Sequence, residues 1–467
     1  MSRVTEDKNK WVSIQHAQKE SVQLRRGNGI GERIEKLDRL KYLLEQHEEE
    51  WFEALYADLG NSAIEVYASE LATTLNEIDH VKKNLRNWMT AEKKVTYSVM
   101  GEVERSILRR PYGSVLIISP WNYPLQLTVV PLIGAIAAGN RCFVKPSEKS
   151  QAVSHLLNKL ITRYFDPEEI TVVEGEAETA KALLELQWDY IFFTGSPSVG
   201  QKVYEAASKF ITPVTLELGG KNPCIVDETN CTRGSVEKII WGKFLNAGQT
   251  CIAPDTIYVQ ETVQEEFKRL AIETIRTFYG REPEESEHYS RLIDQKQLDK
   301  MRDHLTQGRI VYGGRSNEET GYFEPTLMEK IEKDSALATE EIFGPILPIV
   351  PYYSLRLLLE QLQQQEAPLV TYFFTKQTSR IEKVEQAMKT GAVLVNQVLL
   401  HVADPNIPFG GVGRSGLGSY HGRYSYETFT YEKVLYHQTA DYANRLLFPP
   451  YSSGALNGLK SGRNWLT

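Results

Sequence analysis

Cys251 lies in the run Asn246-Ala247-Gly248-Gln249-Thr250-Cys251-Ile252-Ala253-Pro254, and Glu217 lies upstream in Leu216-Glu217-Leu218-Gly219-Gly220-Lys221. Side chains of these types supply a thiol nucleophile and a carboxylate base. Cysteine attacks as the thiolate, a minor species near neutrality unless its surroundings lower a pKa of about 8.5. Gly248 and Ala253 are small enough to let a substrate approach the sulfur, and the Cys251 backbone N–H is available for a developing oxyanion. Taken alone, the same run also fits a small buried hydrophobe.

The chain that must position these groups has 467 residues, 41% of them hydrophobic, enough for two or three globular domains. Its 53 Lys and Arg against 61 Asp and Glu leave a net charge of −8. The charges are scattered, with no basic stripe, which argues against nucleic acid as a partner. Cys142, Cys224, Cys231 and Cys251 form no C-x-x-C pair and no zinc spacing, so a reducing compartment is expected and no metal. The charged start, Met1-Ser2-Arg3-Val4-Thr5-Glu6-Asp7-Lys8, lacks the apolar core of a secretory signal, and a cytoplasmic location is expected. The most apolar stretch, Pro124 to Gly139, is broken by Gln126, Thr128 and Pro131 and is shorter than the ~20 residues of a bilayer span. It predicts a buried helix and no integral membrane segment. The tail, 441–467, is mixed and polar.

From about Trp11 to Met89 the periodicity is helical, as in Ile34, Leu37, Leu40 and Leu44. Short apolar runs then alternate with amphipathic stretches: Val115 to Ile118, Cys142 to Val144, Ile170 to Val173, Ile191 to Phe193 and Val214 to Leu216. A second set runs through Cys224 to Val226, the helix of Trp241, Ile257 to Val259, Ile310-Val311, Leu369 to Phe374 and Val393 to Val395. Strands alternating with helices predict an α/β fold of two doubly wound parallel-sheet domains. Glu102 to Arg110 and Thr428 to Gln438 fit neither set and are strand-like, which predicts a small β arm that a second subunit covers in a homodimer.

Phe193-Thr194-Gly195-Ser196-Pro197-Ser198-Val199-Gly200 ends a strand, turns at Gly195 and enters a helix from Pro197. A helix start after a glycine turn suits a phosphate. Gln201 stands where a P-loop needs lysine, and Pro197 breaks the G-x-G-x-x-G pattern, so neither fingerprint applies. Lys145-Pro146-Ser147-Glu148 ends another strand, where ligands of open α/β sheets collect and ribose hydroxyls find partners. Read singly, both motifs also fit structural turns.

Taken together with Pro120-Trp121-Asn122-Tyr123-Pro124, Glu340-Glu341-Ile342-Phe343-Gly344-Pro345 and Pro408-Phe409-Gly410-Gly411, these motifs resemble the aldehyde dehydrogenase superfamily from about residue 10 to 450. The Cys251-Ile252-Ala253-Pro254-Asp255 continuation, Ser419-Tyr420-His421-Gly422 and Phe448-Pro449-Pro450-Tyr451 resemble its class 3 and fatty-aldehyde branch. The resemblance implies NAD or NADP as cofactor, a hydrophobic aliphatic or aromatic aldehyde of medium or long chain as substrate, and a carboxylic acid as product.

It implies Cys251 as nucleophile, with Asn122 and the Cys251 N–H as the oxyanion hole and Glu217 as the base that hydrolyses a thioester on Cys251. Acylating relatives, which pass the acyl group to coenzyme A, lack that glutamate. Lys145 and Glu148 match the adenosine-ribose position, Gly195, Ser196 and the helix with Gly200 the pyrophosphate, and Glu341 and Phe343 the nicotinamide ribose and ring. Trp121, Leu218 and Gly219 join the cofactor-binding set, while Tyr123, Trp241, Leu400 and His401 match the substrate channel. The implied division is 1–100 and 111–215 for the dinucleotide, 216–418 for catalysis, 101–110 and 426–440 for oligomerisation, and 441–467 as tail. A cofactor-independent thioester or ester hydrolase would use the same cysteine. A binding protein on this scaffold would need a disabled site, whereas every catalytic letter is present.

Overall fold

Runs of β-branched and aromatic residues between Gly, Pro and polar turns pair into sheets because that pairing alone satisfies their backbone once both faces are buried. The computed structural model describes residues 3–24, 29–98, 101–441 and 448–461. An arm begins with β1 (Glu92–Ser98) and β2 (Gly101–Pro111), and the chain continues into β3 (Ser114–Ile118), β4 (Arg141–Lys145), β5 (Ile170–Val172), β6 (Tyr190–Gly195) and β7 (Val214–Leu218). Next come β8 (Pro223–Val226), β9 (Thr256–Gln260), β10 (Arg309–Tyr312), the short pair β11 (Ser316–Asn317) and β12 (Tyr322–Phe323), β13 (Thr326–Glu329) and β14 (Ile346–Tyr352). The last are β15 (Val370–Phe374), β16 (Ala392–Val395), β17 (Gly416–Leu417) and β18 (Thr430–Asp441).

The first sheet has the order β17-β7-β6-β3-β4-β5, parallel except for β17 on its edge. From β3 the chain winds outward to β4 and β5, then returns to β6 and β7 on the other side. The carboxyl ends of β3 and β6 therefore border the crevice where open α/β sheets bind ligands. The second sheet, β10-β13-β14-β9-β8-β15-β16, is parallel apart from β10. The chain is thus an α/β protein with two wound sheets. β13 and β14 escape the sequence pattern, because Pro325, Pro348 and Pro351 interrupt the apolar signal.

The Pro124 to Gly139 stretch forms the helix Gln126–Ala138, and every residue of it is buried. No helix among the described residues is long and apolar enough to cross a membrane. The arm is the antiparallel sheet β1-β2-β18, in which β2 pairs with β18 from Pro111↔Thr430 to Gly101↔Asp441. Its last strand starts at Thr430, because Gly422–Thr428 is a helix, and β1 brings residues 92–98 into the arm as well. β18 forms one edge, opposite β1, and exposes Val434, Leu435 and Tyr436. Of the tail, Ala455–Ser461 is a short helix, while 442–447 and 462–467 lie outside the described residues.

Candidate active site

The helix Arg233–Phe244 runs into a tight segment, Leu245–Gly248, where Asn246 (φ 50°, ψ 36°) and Ala247 (φ 50°, ψ 33°) are left-handed. Such a backbone costs about 1–2 kcal/mol per L-residue and persists only where surrounding bonds over-determine it. Here they do. Asn246 donates its N–H to Glu65 Oε1 (2.8 Å) and its amide to the Asn122 carbonyl (2.7 Å), and accepts from Asn61 (3.1 Å). Gln249 donates to the Asn246 and Arg291 carbonyls (3.0 Å each) and accepts from the Ile293 N–H (3.1 Å). Asn222 holds the far side, donating to the carbonyls of Cys251 (2.7 Å) and Ala253 (3.1 Å) and accepting from Val370 (3.0 Å).

Asn122 follows β3, and its amide donates to the Gln249 carbonyl at 2.9 Å, which ties the first sheet to the cysteine loop. An amide NH₂ carries two hydrogens, so one donor remains. Glu217, next to last in β7, lies beside Thr194 of β6, is 3% exposed, and neither carboxylate oxygen has a hydrogen-bond partner. Burial drives its pKa well above the usual carboxylate range. The Cys251 thiol is pushed up to about 12, first by burial, then by the charges of Glu341 and Glu217, against the N–H groups of Cys251 and Ile252 that favour the thiolate. Within the protein alone the sulfur is therefore a neutral thiol near pH 7, and the two N–H groups face it.

At the crevice, Lys145 ends β4 and is 2% exposed, with Nζ donating to the Pro146 carbonyl (2.7 Å) and to Glu148 (3.3 Å). Gly195 ends β6 for reasons of space rather than of a left-handed turn: a Cβ there would lie 2.5 Å from the Phe193 ring. Ser196 precedes the helix Pro197–Ser208, whose first turn has no side-chain cap. Gly200 lies inside that helix and packs on Leu218, where a Cβ would come within 2.6 Å. Glu341 accepts from the Gly220 N–H, and burial raises its pKa to about 8. A Cβ on Gly219 would sit 2.2 Å from its Oε2. Phe343 has φ +52° and meets Trp121 edge-on at 5.4 Å. A helix start without a side-chain cap, the buried Thr194 hydroxyl without a partner and a carboxylate close to bare glycine make a cradle that fits a dinucleotide.

Cys251 also opens onto a cavity of about 470 Å³ walled by Tyr123, Leu127, Trp241, Leu245, Phe278, Leu400, Val402 and Phe409. Tyr123 is fixed by a 2.7 Å bond to Thr250. His401 does not line it: its ring stacks on Phe409 at 5.6 Å, Nδ1 bonds the Leu399 carbonyl (3.0 Å), and burial lowers its pKa to about 4. Ile64, Ala68, Ser69 and Thr73 supply another wall, from around the π-helical turn Tyr67–Leu71. Sequence periodicity gives no sign of this role.

Sequence reasoning also misses Glu65, Asn61 and Asn222, and uses Asp255 only as a branch signature. Asp255, 3% exposed, accepts from Lys221 Nζ (2.6 Å) and from the Ile342 N–H (2.9 Å). One carboxylate thereby joins the segment after Glu217 to the one carrying Glu341 and Phe343. The available signal is an acid inside an otherwise apolar strand entrance.

The sequence matches the aldehyde dehydrogenase family over residues 6–435. It is 45% identical to a 4,4'-diapolycopene-4,4'-dial dehydrogenase of Cytobacillus firmus, over 91% of this chain and 94% of that one. It is 41% identical to aldehyde dehydrogenase family 3 member B1 of Homo sapiens, over 91% and 92%. A solved structure, the substrate-bound state of Staphylococcus aureus AldH, superposes with a TM-score of 0.93 at 41% identity, covering 96% of this chain and 98% of that one. The chain belongs to the aldehyde dehydrogenase family, on its class 3-like side, and is an aldehyde-oxidising oxidoreductase.

Proposed function

We propose that this enzyme oxidises medium or long hydrophobic aldehydes to carboxylic acids with NAD or NADP, through covalent attachment to Cys251. The observation that carries this reading is the convergence of Asn122, Glu217 and Cys251 where an apolar cavity ends beside the nucleotide crevice. The names of the diapolycopene-dial and family 3 relatives support a large apolar substrate.

The substrate chain lies among Tyr123, Trp241, Leu400 and their neighbours, with its carbonyl at the sulfur. Deprotonated Cys251 attacks the carbonyl carbon, and the oxyanion receives hydrogen bonds from the free Asn122 amide hydrogen and the Cys251 N–H. The dinucleotide, when bound, supplies the hydride acceptor. Lys145, Glu148, Ser196, the helix with Gly200, Leu218, Gly219, Glu341, Phe343 and Trp121 hold and orient it, in a domain formed by 1–100 and 111–215. The catalytic domain spans 216–418. Glu217, its oxygens uncommitted, takes a proton from the water that cleaves the thioester, a contribution of about 10² to 10⁴ in rate. A base needs its ionised form, so raising the pH through the elevated pKa of Glu217 speeds this step. The exposed edge of β18 supports a homodimer, and the four free thiols support a cytoplasmic enzyme.

Mass spectrometry after a single turnover tests the assignment. Glu217→Gln accumulates an acyl adduct on Cys251, and Cys251→Ala yields neither adduct nor reduced nicotinamide. Oxidation that survives Cys251→Ala removes the nucleophile, and ester turnover without dinucleotide as the only activity favours the hydrolase.

A further inference from the structure

At the foot of the arm, a recess of about 390 Å³ gathers Arg33, Lys36, Arg109, Arg110, Arg141 and Lys433 around one carboxylate, Glu32. Some of this charge is already matched. Lys36 pairs with Glu32 (2.7 Å) and Glu169 (3.2 Å), Arg141 with Glu32 (3.3 Å), and Arg109 with Glu432 (2.9 Å) and Glu427 (3.5 Å). Arg33, Arg110 and Lys433 have no carboxylate within ion-pair distance among the described residues. Arg33 donates through Nη1 to the Ala137 carbonyl (2.7 Å), but its buried Nε has no acceptor. Burial holds this guanidinium below its ordinary pKa against a hydrogen bond to Tyr426 and the charge of Glu32, and Arg110 adds a smaller push in the same direction as burial. Gly139 leaves room for it, since a Cβ there would stand 2.9 Å from Nη2.

Around this partly open recess, three cations without a carboxylate partner among the described residues repel one another until an anion enters, and guanidinium forks are shaped for tetrahedral oxyanions. We propose that this recess is a binding site for a small phosphate-bearing anion of two to three negative charges. The recess is separate from the active site. The helix Ala72–Met89 touches the substrate cavity at Thr73 and the recess at Met89, about 24 Å apart along its axis at 1.5 Å per residue. A concave site of this size favours a soluble phosphate over a lipid headgroup, although both carry the same chemistry.

The test titrates inorganic pyrophosphate into the full-length protein by calorimetry at constant ionic strength, with NAD saturating so that the nucleotide crevice is closed to the probe. One site per chain is expected. Arg110→Gln with Lys433→Gln, both exposed and outside the catalytic machinery, should weaken binding by about tenfold or more while leaving the cofactor KM unchanged. A parallel arm sediments the protein with phosphatidic-acid vesicles. Pyrophosphate-silent protein that binds these vesicles, and loses them in the double variant, keeps the phosphate site and assigns its source to lipid. Equal affinity in the double variant, heat seen only without NAD, or failure of both probes overturns the proposal. So does a double variant that dissociates into monomers, because a partner subunit then fills the recess.

Discussion

Asn222, Asn246 and Gln249 commit every side-chain amide to bonds around the Cys251 loop, whereas Thr194 and Glu217, neighbours at the ends of β6 and β7 and also buried, bond nothing through their side-chain oxygens. A buried polar atom without a partner costs about 1–3 kcal/mol, so two such residues in adjoining positions mark a place kept for water or ligand. The loop has the opposite character. Its saturated bonds hold two left-handed residues and fix where the sulfur emerges. Stability is concentrated on the Cys251 side, and binding capacity on the Glu217 side.

After Cys251→Ala, which on the proposed mechanism abolishes oxidation, Glu217→Gln should give the largest kinetic effect. Glu217→Gln is expected to lower steady-state turnover by about 10² to 10⁴ and to remove the part of its rise with pH that Glu217 sets, leaving the part set by the Cys251 thiol. Thermal stability should move the other way. With a folded-state pKa above the unfolded one, folding binds a proton, and stability declines as pH rises above the unfolded carboxylate pKa. Glutamine lacks that slope, and melting curves at acidic and alkaline pH would show it; a variant less stable than the parent at every pH contradicts the assignment.

Asn122 belongs to both sides. Asn122→Ala should cost about a hundredfold in kcat/KM and also lower the melting temperature, because the Gln249 carbonyl loses the shorter of its two side-chain donors and keeps only the 3.4 Å bond from Asn246. On the Cys251 side, Asn246→Ala removes its side-chain bonds to Asn122 and Asn61 and places alanine at φ 50°, so chemical denaturation should register a loss on the order of 3 kcal/mol. An unaltered denaturation midpoint there would deny the loop its structural character. The smallest effect is expected at the crevice. Gly219→Ala crowds Glu341 and should raise the cofactor KM by about tenfold with little change in stability.

Much of this is legible in the sequence, for reasons that differ by element. The strands of the first sheet show because parallel strands buried on both faces are uninterrupted apolar runs, as in Ser114–Ile118. The arm strands, 101–110 and 426–440 in the sequence reading, show as runs that neither sheet absorbs. β13 and β14 are hidden by their prolines. Cys251, Glu217 and Asn122 stand out through motif spacing, but the network that holds them does not. Asn61, Glu65 and Asn222 reach the loop only through tertiary contact, and no local pattern marks a residue that bonds a partner more than a hundred positions away. The cavity wall at 64–73 looks like any amphipathic helix until the π-helical turn redirects its side chains. Gly195 reads as a turn glycine, and is required for the space beside Phe193 instead.

On the proposed mechanism, Asp255 couples two loops that meet different molecules. Its oxygens receive Lys221, just past the end of the base's strand at Leu218, and the N–H of Ile342, between Glu341 and Phe343. The walls of the substrate cavity take no part in this brace. Substitutions that reshape that cavity can therefore accumulate without shifting the spacing between the Glu217 and Glu341 segments that this brace sets.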